Sequence, residues 1–377
     1  MWRLVAAVIL LLISLLTVCK APAHFFWLVA IAITEFPYIS ILISIVFFIC
    51  CFYAPGFRLA LLCISGASVL FYLLPIIQVY DRGQHLAEDL QENFPFHEKA
   101  GQLQQPFSLI KLFSGIGIKD LPFKTLTYKQ LPDTILTLDL YAAQQNPKAP
   151  CVIMIHGGSW RNGDSRQFIE FNRYLAQSGY NVAAINYRLA PKYKSPAPVE
   201  DTRDAIHYLV QHAEALNIDS SNFVLMGRSA GAQIALVAAY TFHDPRIKGV
   251  ISYYGPADMV WGARLKSNKL VLNTDQVFTD YLGGLIDQVP AKYHEASAYD
   301  FADQNSPPTL LVHGPHDALV SYGHSARLSK KLEGHHVPNY FLNLPWATHG
   351  CDYNINGPSG QITTFAAERF INSVTSR

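Results

Sequence analysis

The sequence predicts an α/β fold, a mostly parallel eight-stranded sheet with helices on both faces, preceded by an all-α transmembrane segment. Three observations support this prediction. Of the 29 basic and 28 acidic residues, only four lie in residues 1–80. From residue 124 onward, short β-branched apolar runs alternate with amphipathic helical patterns, which is the order of a buried parallel sheet. Two glycine-containing motifs follow such runs directly, at residues 156–160 and 227–231.

Composition excludes several classes of protein. The 377 residues carry a net charge of +1, which excludes a nucleic-acid-binding polycation and an acidic disordered chain. Only 15% of residues are charged. This low fraction is the average of an apolar first segment and a remainder whose charge content is closer to that of a globular protein. The six cysteines show no CxxC or paired spacing. We therefore expect neither a disulfide framework nor a metal site.

Residues 1–80 are predicted to contain three or four membrane spans, which makes this an integral, multi-pass membrane protein. A span needs about 20 apolar residues, a length that residues 4–19 and 57–79 approach or meet. Residues 25–53 are too long for one straight span and form either two short helices or one span with a re-entrant piece. A cleaved signal peptide is the weaker alternative, because sixty equally apolar residues would remain.

Two further points about this segment concern the role of Glu35 and the orientation of the spans. Glu35 stands beside Pro37 at the expected break, so we interpret it as part of an interfacial turn rather than as a proton or ion site. With three spans, the basic residues divide equally between the two sides, and the orientation stays open.

Residues 81–123 are predicted to be a linker, and residues 124–377 a catalytic domain. Within the linker, PFSLIKLF at 106–113 places apolar residues at helical spacing. This stretch would lie on the membrane surface, cover a site as a cap, or pack against the globular domain.

In the domain, eight strands are expected at residues 124–128, 135–141, 151–155, 181–185, 223–226, 248–253, 309–312 and 339–343, and the first two form an antiparallel edge hairpin. Helices are expected at residues 166–178, 199–216, 230–240, 275–282, 323–332 and 361–374.

The motif GRSAG at 227–231 follows a strand pattern and precedes a helix pattern. It matches G-x-S-x-G, in which the serine occupies a sharp strand–turn–helix with its Oγ above the sheet. Glycines flank the serine because side chains there would collide with the strand and the helix. Ser229 is the predicted nucleophile.

The motif HGGSW at 156–160 ends another buried strand pattern. Glycines in such a loop let several backbone N–H groups point at one spot, as an oxyanion hole requires. We expect the hole to be formed by Gly157, Gly158, Ser159 and the residue after the nucleophile, Ala230.

A serine hydroxyl needs a base and an orienting carboxylate. Asp317 and His349 follow the last two strand patterns, so both should emerge with Ser229 at the carboxyl edge of the sheet. Their order, serine, acid, histidine, is the one found with G-x-S-x-G turns. Weaker candidates are Asp258 as the acid and, as bases, His313, His316, His335 and His336, which we interpret as structural or surface residues.

Taken together, these residues resemble the α/β-hydrolase superfamily, and within it the hormone-sensitive-lipase-like and feruloyl-esterase-like branch. The resemblance covers roughly residues 124–376 and implies ester hydrolysis by Ser229, Asp317 and His349 without a cofactor. It rests on LDLY at 138–141, HGGSW at 156–160, NYRLAP at 186–191, GRSAG at 227–231, the prolines at 307–308, and the histidine at 349.

HGGxW with amino-terminal spans is loosely similar to membrane-anchored isoprenylcysteine methylesterases, and HGGxW alone also resembles kynurenine formamidases. Two positions depart from the branch. Ser159 replaces the third glycine of a lipase-type HGGG, which is harmless if only its amide is used. Arg228 either brings a positive charge near the site or points outward.

The sequence therefore predicts a membrane-anchored serine hydrolase that cleaves carboxylic esters through an acyl-enzyme on Ser229. Its expected partners are a small-molecule or lipidic ester and membrane lipids, and not nucleic acid. An acyltransferase, a formamidase or a serine peptidase would use the same residues. A catalytically silent interaction module and a small transporter with a regulatory domain are weaker alternatives.

Overall fold

The computed structural model describes residues 1–54, 56–97, 102–144 and 148–375. Its amino-terminal part is helical. Residues 25–53 form two helices, because Pro37 occupies the first turn of a new helix and the chain bends by 87° there. The helices are α1 (Trp2–Ser14), continued by a 3₁₀ turn (Leu15–Thr17), α2 (His24–Glu35), α3 (Pro37–Cys51) and α4 (Arg58–Gln84).

Among the described residues, α4 is long and apolar enough to cross a membrane, and α2 with α3 would add a second span if the bent pair counts as one. α4 has 27 residues and continues past the expected boundary at residue 80. α1 and α3 have 13 and 15 residues, fewer than the roughly 20 of a straight span. These four helices expose many large apolar side chains, among them Val5, Phe25, Leu42, Val46, Leu59 and Leu70.

Two short helices, α5 (Leu86–Asn93) and α6 (Lys111–Ser114), follow. Around α6, Phe107 and Leu112 are buried against the globular domain, whereas Ile110 and Phe113 are exposed. The Phe113 ring lies 5.0 Å from that of Tyr38 in α3. One face of the 106–113 stretch thus packs on the domain, and the other extends the apolar surface of α3.

The globular domain contains the predicted eight-stranded, mostly parallel sheet, in the order β1-β2-β4-β3-β5-β6-β7-β8. β1 pairs with β2 as the predicted edge hairpin, β2 is also antiparallel to β4, and the remaining pairs are parallel. The strands are β1 (Lys124–Leu131), β2 (Thr134–Tyr141), β3 (Ala149–Ile155), β4 (Asn181–Ile185), β5 (Ile218–Arg228), β6 (Ile247–Tyr253), β7 (Thr309–His313) and β8 (Asn339–Asn343).

Helices cover both faces of the sheet, as predicted. In β3, Ile153 packs into the core under α8 and α9, while its neighbour Met154 packs into the core on the opposite face, with α7 and α15. The helices are α7 (Ile169–Gln177), α8 (Ala197–Gln211), α9 (Ala230–Thr241), α10 (Met259–Gly262), α11 (Thr274–Leu282), α12 (Pro290–Glu295), α13 (Ala298–Phe301), α14 (Gly323–Gly334) and α15 (Pro358–Thr375). The expected domain end at residue 377 lies outside the described residues.

Candidate active site

Ser229 lies at the sharp turn between β5 and α9. Its backbone has φ 52° and ψ −120°, a strained conformation for a residue with a side chain. The turn depends on its two glycines. A Cβ at Gly227 would lie 2.1 Å from the carbonyl oxygen of Gly231, and one at Gly231 would lie 2.2 Å from that of Ile155. The sequence therefore forces the serine hydroxyl out above the carboxyl edge of the sheet.

Asp317 and His349 reach the same edge from the loops after β7 and β8. His349 Nε2 lies 2.9 Å from the Oγ of Ser229. Its Nδ1 lies 2.7 Å from the Oδ2 of Asp317. Both distances are within the range for a base that accepts a serine proton while a carboxylate orients it. The structure thus brings the three predicted residues into one hydrogen-bonded chain.

The carboxylate of Asp317 is buried and fully hydrogen-bonded. Its Oδ1 accepts the amides of Leu319 and Val320, each at 2.8 Å. Its Oδ2 also lies 3.0 Å from the Nε2 of His313. Burial raises the pKa of Asp317, but the charge of His349 and the hydrogen bonds from both histidines outweigh it and hold the pKa well below its usual value. Asp317 is therefore ionised at neutral pH, as an orienting carboxylate must be.

The HGGSW loop runs beside the serine in a left-handed conformation, with φ of 116°, 53° and 59° at Gly158, Ser159 and Trp160. A Cβ at Gly158 would lie 2.0 Å from the carbonyl oxygen of Asn162, so only glycine fits. The amides of Gly158 and Ser159 have no acceptor in the described parts of the chain. The amide of Ala230 opens α9, where helical N–H groups have no partner within the helix.

Gly157 differs from the prediction. Its N–H donates to the Oε1 of Gln167 at 3.0 Å, so it is not a free donor for an oxyanion. The remaining predicted donors are those of Gly158, Ser159 and Ala230. Nothing in the sequence indicated Gln167 as the partner, because it lies in the loop before α7, ten residues after Gly157.

Arg228 neither faces the substrate side nor points outward. It is buried, with its guanidinium 3.9 Å from the ring centre of Phe168, and it forms an ion pair with Asp352. Asp352 also accepts the hydroxyl of Tyr254, whose ring lies 4.5 Å from the His349 imidazole. Since Asp352 follows His349 by three residues, this buried pair holds the histidine loop against the sheet.

The competing residues have other roles in the structure. Asp258 caps α10 through the amide of Trp261 and pairs with Arg327 at 2.8 Å. His313 supports Asp317 and, through its Nδ1, lies 2.8 Å from the Oγ of Ser325. His335 and His336 are exposed after α14.

Sequence reasoning missed the contribution of the amino-terminal helices to this site. The indole Nε1 of Trp27, in α2, donates to the carbonyl oxygen of His349 at 2.8 Å. The Trp27 ring lies 6.3 Å from the imidazole, measured between centres. Hydropathy marked α2 as apolar, but an apolar run does not reveal which of its residues face protein.

A cavity of about 480 Å³ opens above Ser229, which is a usual size for a ligand site. Trp160 forms one wall, stacked on Tyr281 at 4.2 Å, and its Nε1 donates to Gln233. Across the described ranges, no group of three or more His, Cys, Asp or Glu side chains is placed to hold a metal ion. The site can therefore activate a serine, and its apolar walls can hold an organic group beside it.

A model of the BD-FAE family matches residues 138–332, more than half of the chain. The chain belongs to the BD-FAE family. The matched range contains the HGGSW and GRSAG motifs and Asp317, whereas His349 and the four amino-terminal helices lie outside it.

Curated relatives of this BD-FAE chain include two from Mycobacterium tuberculosis. It is 26% identical to Esterase LipC over 264 residues, which is 64% of this chain and 63% of that one. It is 25% identical to Probable carboxylic ester hydrolase LipM, over 60% of this chain and 54% of that one. The chain thus spans less than two thirds of the length of these relatives.

Solved structures show the same fold. The Pyrobaculum calidifontis esterase is 22% identical, with a TM-score of 0.58, and the match covers 67% of this chain and 86% of that one. The acetyl ester-xyloside bifunctional hydrolase from Caldicellulosiruptor lactoaceticus is 21% identical, with a TM-score of 0.58, over 68% and 98% of the two chains. The fold class predicted for the globular domain is confirmed.

Proposed function

We propose that this protein is a membrane-anchored serine esterase that hydrolyses carboxylic esters through an acyl-enzyme on Ser229. The proposal depends above all on the two hydrogen bonds of His349, 2.9 Å to Ser229 and 2.7 Å to Asp317. The names of the relatives LipC and LipM agree with ester hydrolysis. A chain of hydrogen bonds from a carboxylate through a histidine to a strained serine fits acyl transfer better than any other reaction class.

In the first half of the reaction, His349 takes the proton of Ser229 as its Oγ attacks the ester carbonyl. The imidazolium is stabilised by Asp317, whose ionised carboxylate also fixes the tautomer that leaves Nε2 free. The oxyanion accepts hydrogen bonds from the amides of Gly158, Ser159 and Ala230. Loss of one such donor typically costs about 3–4 kcal/mol of transition-state stabilisation.

Acylation ends when His349 gives this proton to the departing alcohol, and the acyl group stays on Ser229. The second half of the reaction is the hydrolysis of this acyl-enzyme. Water then enters, gives its proton to His349 and attacks the acyl carbonyl. The tetrahedral intermediate collapses, Ser229 recovers its proton, and the carboxylic acid leaves. Each step uses one proton carrier, so no cofactor is needed.

Anchoring in a membrane is supported by the surface of the amino-terminal helices. Val5, Leu42, Leu59 and Leu70 each expose more than half of their area, and such continuous apolar surface is costly in water. α4 has the length and composition of a span. The proposal of a multi-pass protein uses α4 as one span and the bent pair of α2 and α3, counted together, as the second.

The test uses the full-length protein in native membranes and a fluorophosphonate probe, which labels activated serines. We expect the wild type to be labelled and to remain in the membrane pellet after an alkaline carbonate wash. Ser229→Ala should remain in the pellet but lose the label and the hydrolysis of a short neutral ester. Ser267→Ala, which removes another serine hydroxyl that lines the same cavity, is the matched control and should keep both.

Equal labelling of wild type and Ser229→Ala would exclude Ser229 as the nucleophile. Extraction of the protein by the wash would exclude integral anchoring. Labelling without turnover of any ester would favour transfer of the acyl group to an acceptor other than water.

A further inference from the structure

Two loops close over the catalytic cavity, and one belongs to the amino-terminal helices. Residues 20–22 precede α2, and residues 265–272 follow α10; both line the cavity. The loops are tied together, because the amide of His24 donates to the carbonyl oxygen of Leu270 at 2.9 Å. The Nδ2 of Asn268 also donates to the carbonyl oxygen of Pro22 at 2.8 Å. The apolar helical segment therefore forms part of the wall of the site.

The interior of the cavity is largely apolar. Val271 and Val277 are buried in its wall, and Leu272, Phe278 and Leu319 line it as well. When a hydrocarbon group enters such a space it displaces water, and this displacement is favourable. An acyl chain attached to the reacting carbonyl is the group that fits this lining.

The mouth of the cavity carries two cations. Lys20 comes from the loop before α2, and Lys266 from the loop after α10; both side chains line the cavity and are exposed. Within the described ranges, neither amine has a carboxylate in ion-pairing distance. The acidic residue of the lining is Asp317, which is buried and committed to its own hydrogen bonds. The mouth therefore has a positive potential that favours an anion.

The mouth also adjoins the apolar surface that we assign to the membrane. α2 begins four residues after Lys20 and exposes Phe25, Phe26 and Leu28. A lipid in the adjoining leaflet would thus meet the apolar face of α2, the two lysines and the cavity within one short path.

We propose that the cavity binds an acyl ester of an anionic lipid, with the acyl chain inside and the anionic headgroup at Lys20 and Lys266. The assignment rests on the esterase function proposed above. Ser229 would form a bond to the acyl carbonyl carbon as the ester C–O bond breaks, and the alcohol bearing the anion would leave with the proton from His349. Water would then release the fatty acid.

The test compares two esters with the same acyl chain, a neutral monoacylglycerol and its phosphate monoester, presented to the full-length protein in phosphatidylcholine vesicles. We expect kcat/KM to be higher for the phosphate ester. Changing both lysines to glutamine should reduce this preference about tenfold, or about 1.4 kcal/mol, chiefly through KM for the phosphate ester. Higher ionic strength should reduce it as well, since salt screens exposed charges.

Two controls isolate the charge effect. Changing both lysines to arginine keeps the charges and should keep the preference. Lys248→Gln also removes one positive charge, but at the start of β6, on the sheet edge opposite Ser229, and should leave the preference unchanged.

Each outcome decides one of the two proposals. Turnover of the neutral ester with the same preference in wild type and in the double glutamine variant would overturn the headgroup assignment alone. Failure of the wild type to hydrolyse either ester, while it still hydrolyses a short neutral ester, would overturn this assignment alone. Failure on all of these esters would overturn the esterase function, and this assignment with it. A soluble short-chain phosphate ester, tested without vesicles, distinguishes a membrane lipid from a free anionic ester as the substrate. Turnover of the soluble ester as fast as that of the ester in vesicles would overturn the lipid assignment and indicate a free anionic ester.

Discussion

At the residue scale, burial separates histidines that look alike in the sequence. Burial lowers the pKa of His324 to about 3 and that of His156 to about 4. His324 lines the catalytic cavity as a neutral ring, and its Nδ1 accepts the amide of Asp258 at 3.1 Å. Strand order distinguishes His349 from these histidines, because His349 follows the last strand. The sequence alone does not show which of the other histidines are buried.

The neutral state of His324 predicts a pH dependence of stability. A histidine in the unfolded chain takes up a proton near pH 6.5, whereas native His324 stays neutral to about pH 3. The unfolded state binds more protons in this window, so the free energy of unfolding falls as the pH decreases from about 6.5 toward 3. We expect His324→Gln to make this decline shallower, measured as Tm against pH.

The matched control is His335→Gln, which removes an exposed histidine at the end of α14. It should leave the decline as in the wild type, because an exposed ring is solvated in both states. Identical slopes for wild type and His324→Gln would contradict the buried, neutral state of His324.

At the element scale, the sequence predicts the strands well where apolar runs end at glycine or polar turns. β4 and β8 have the predicted bounds, and the helices after them begin within a few residues of prediction. β5 starts at Ile218 rather than at residue 223, because the polar residues 220–222 obscure a strand that already pairs with Ala149 of β3. Short helices such as α10 and α12 were not predicted, since four to six residues show no periodicity.

The packing of α2 on the histidine loop could not be predicted, because it joins residues more than 300 positions apart. Trp27 is best described as a positioning residue, since it contacts the backbone of His349 and not the reacting atoms. Its hydrogen bond fixes the carbonyl of the residue whose side chain must reach both Ser229 and Asp317.

Trp27→Phe keeps an aromatic ring in α2 and removes the N–H donor. We expect kcat for a short neutral ester to fall about fivefold, the effect of losing a hydrogen bond of about 1 kcal/mol, with KM little changed. Steady-state kinetics of the full-length protein measure both constants. Trp2→Phe, at an exposed position of α1, should change neither, and an unaltered kcat for Trp27→Phe would show that the contact does not position the base.

At the scale of the whole molecule, the buried side chain of Glu35 connects the apolar helices to the globular domain. Glu35, the last residue of α2, accepts the Oγ of Ser359 at 2.7 Å and its amide at 3.1 Å. Ser359 lies in the first turn of α15, where the helical N–H groups have no partner within the helix and need an outside acceptor. The carbonyl oxygen of Glu35 also accepts the Nδ2 of Asn354 at 2.8 Å. The turn predicted from Pro37 is present, but its acid belongs to the junction between the two parts.

This junction predicts that the two parts unfold together. If the helices were only a tether, replacing Glu35 by leucine would suit an apolar segment and leave the catalytic domain unaffected. Because the change leaves the buried Ser359 amide and hydroxyl without their acceptor, we instead expect Glu35→Leu to destabilise the catalytic domain by about 1–3 kcal/mol. Thermal inactivation of esterase activity in the full-length protein measures the effect. Glu35→Gln keeps an acceptor oxygen and should destabilise the globular domain less. Equal inactivation temperatures for wild type and Glu35→Leu would mean that the helices fold independently of the globular domain.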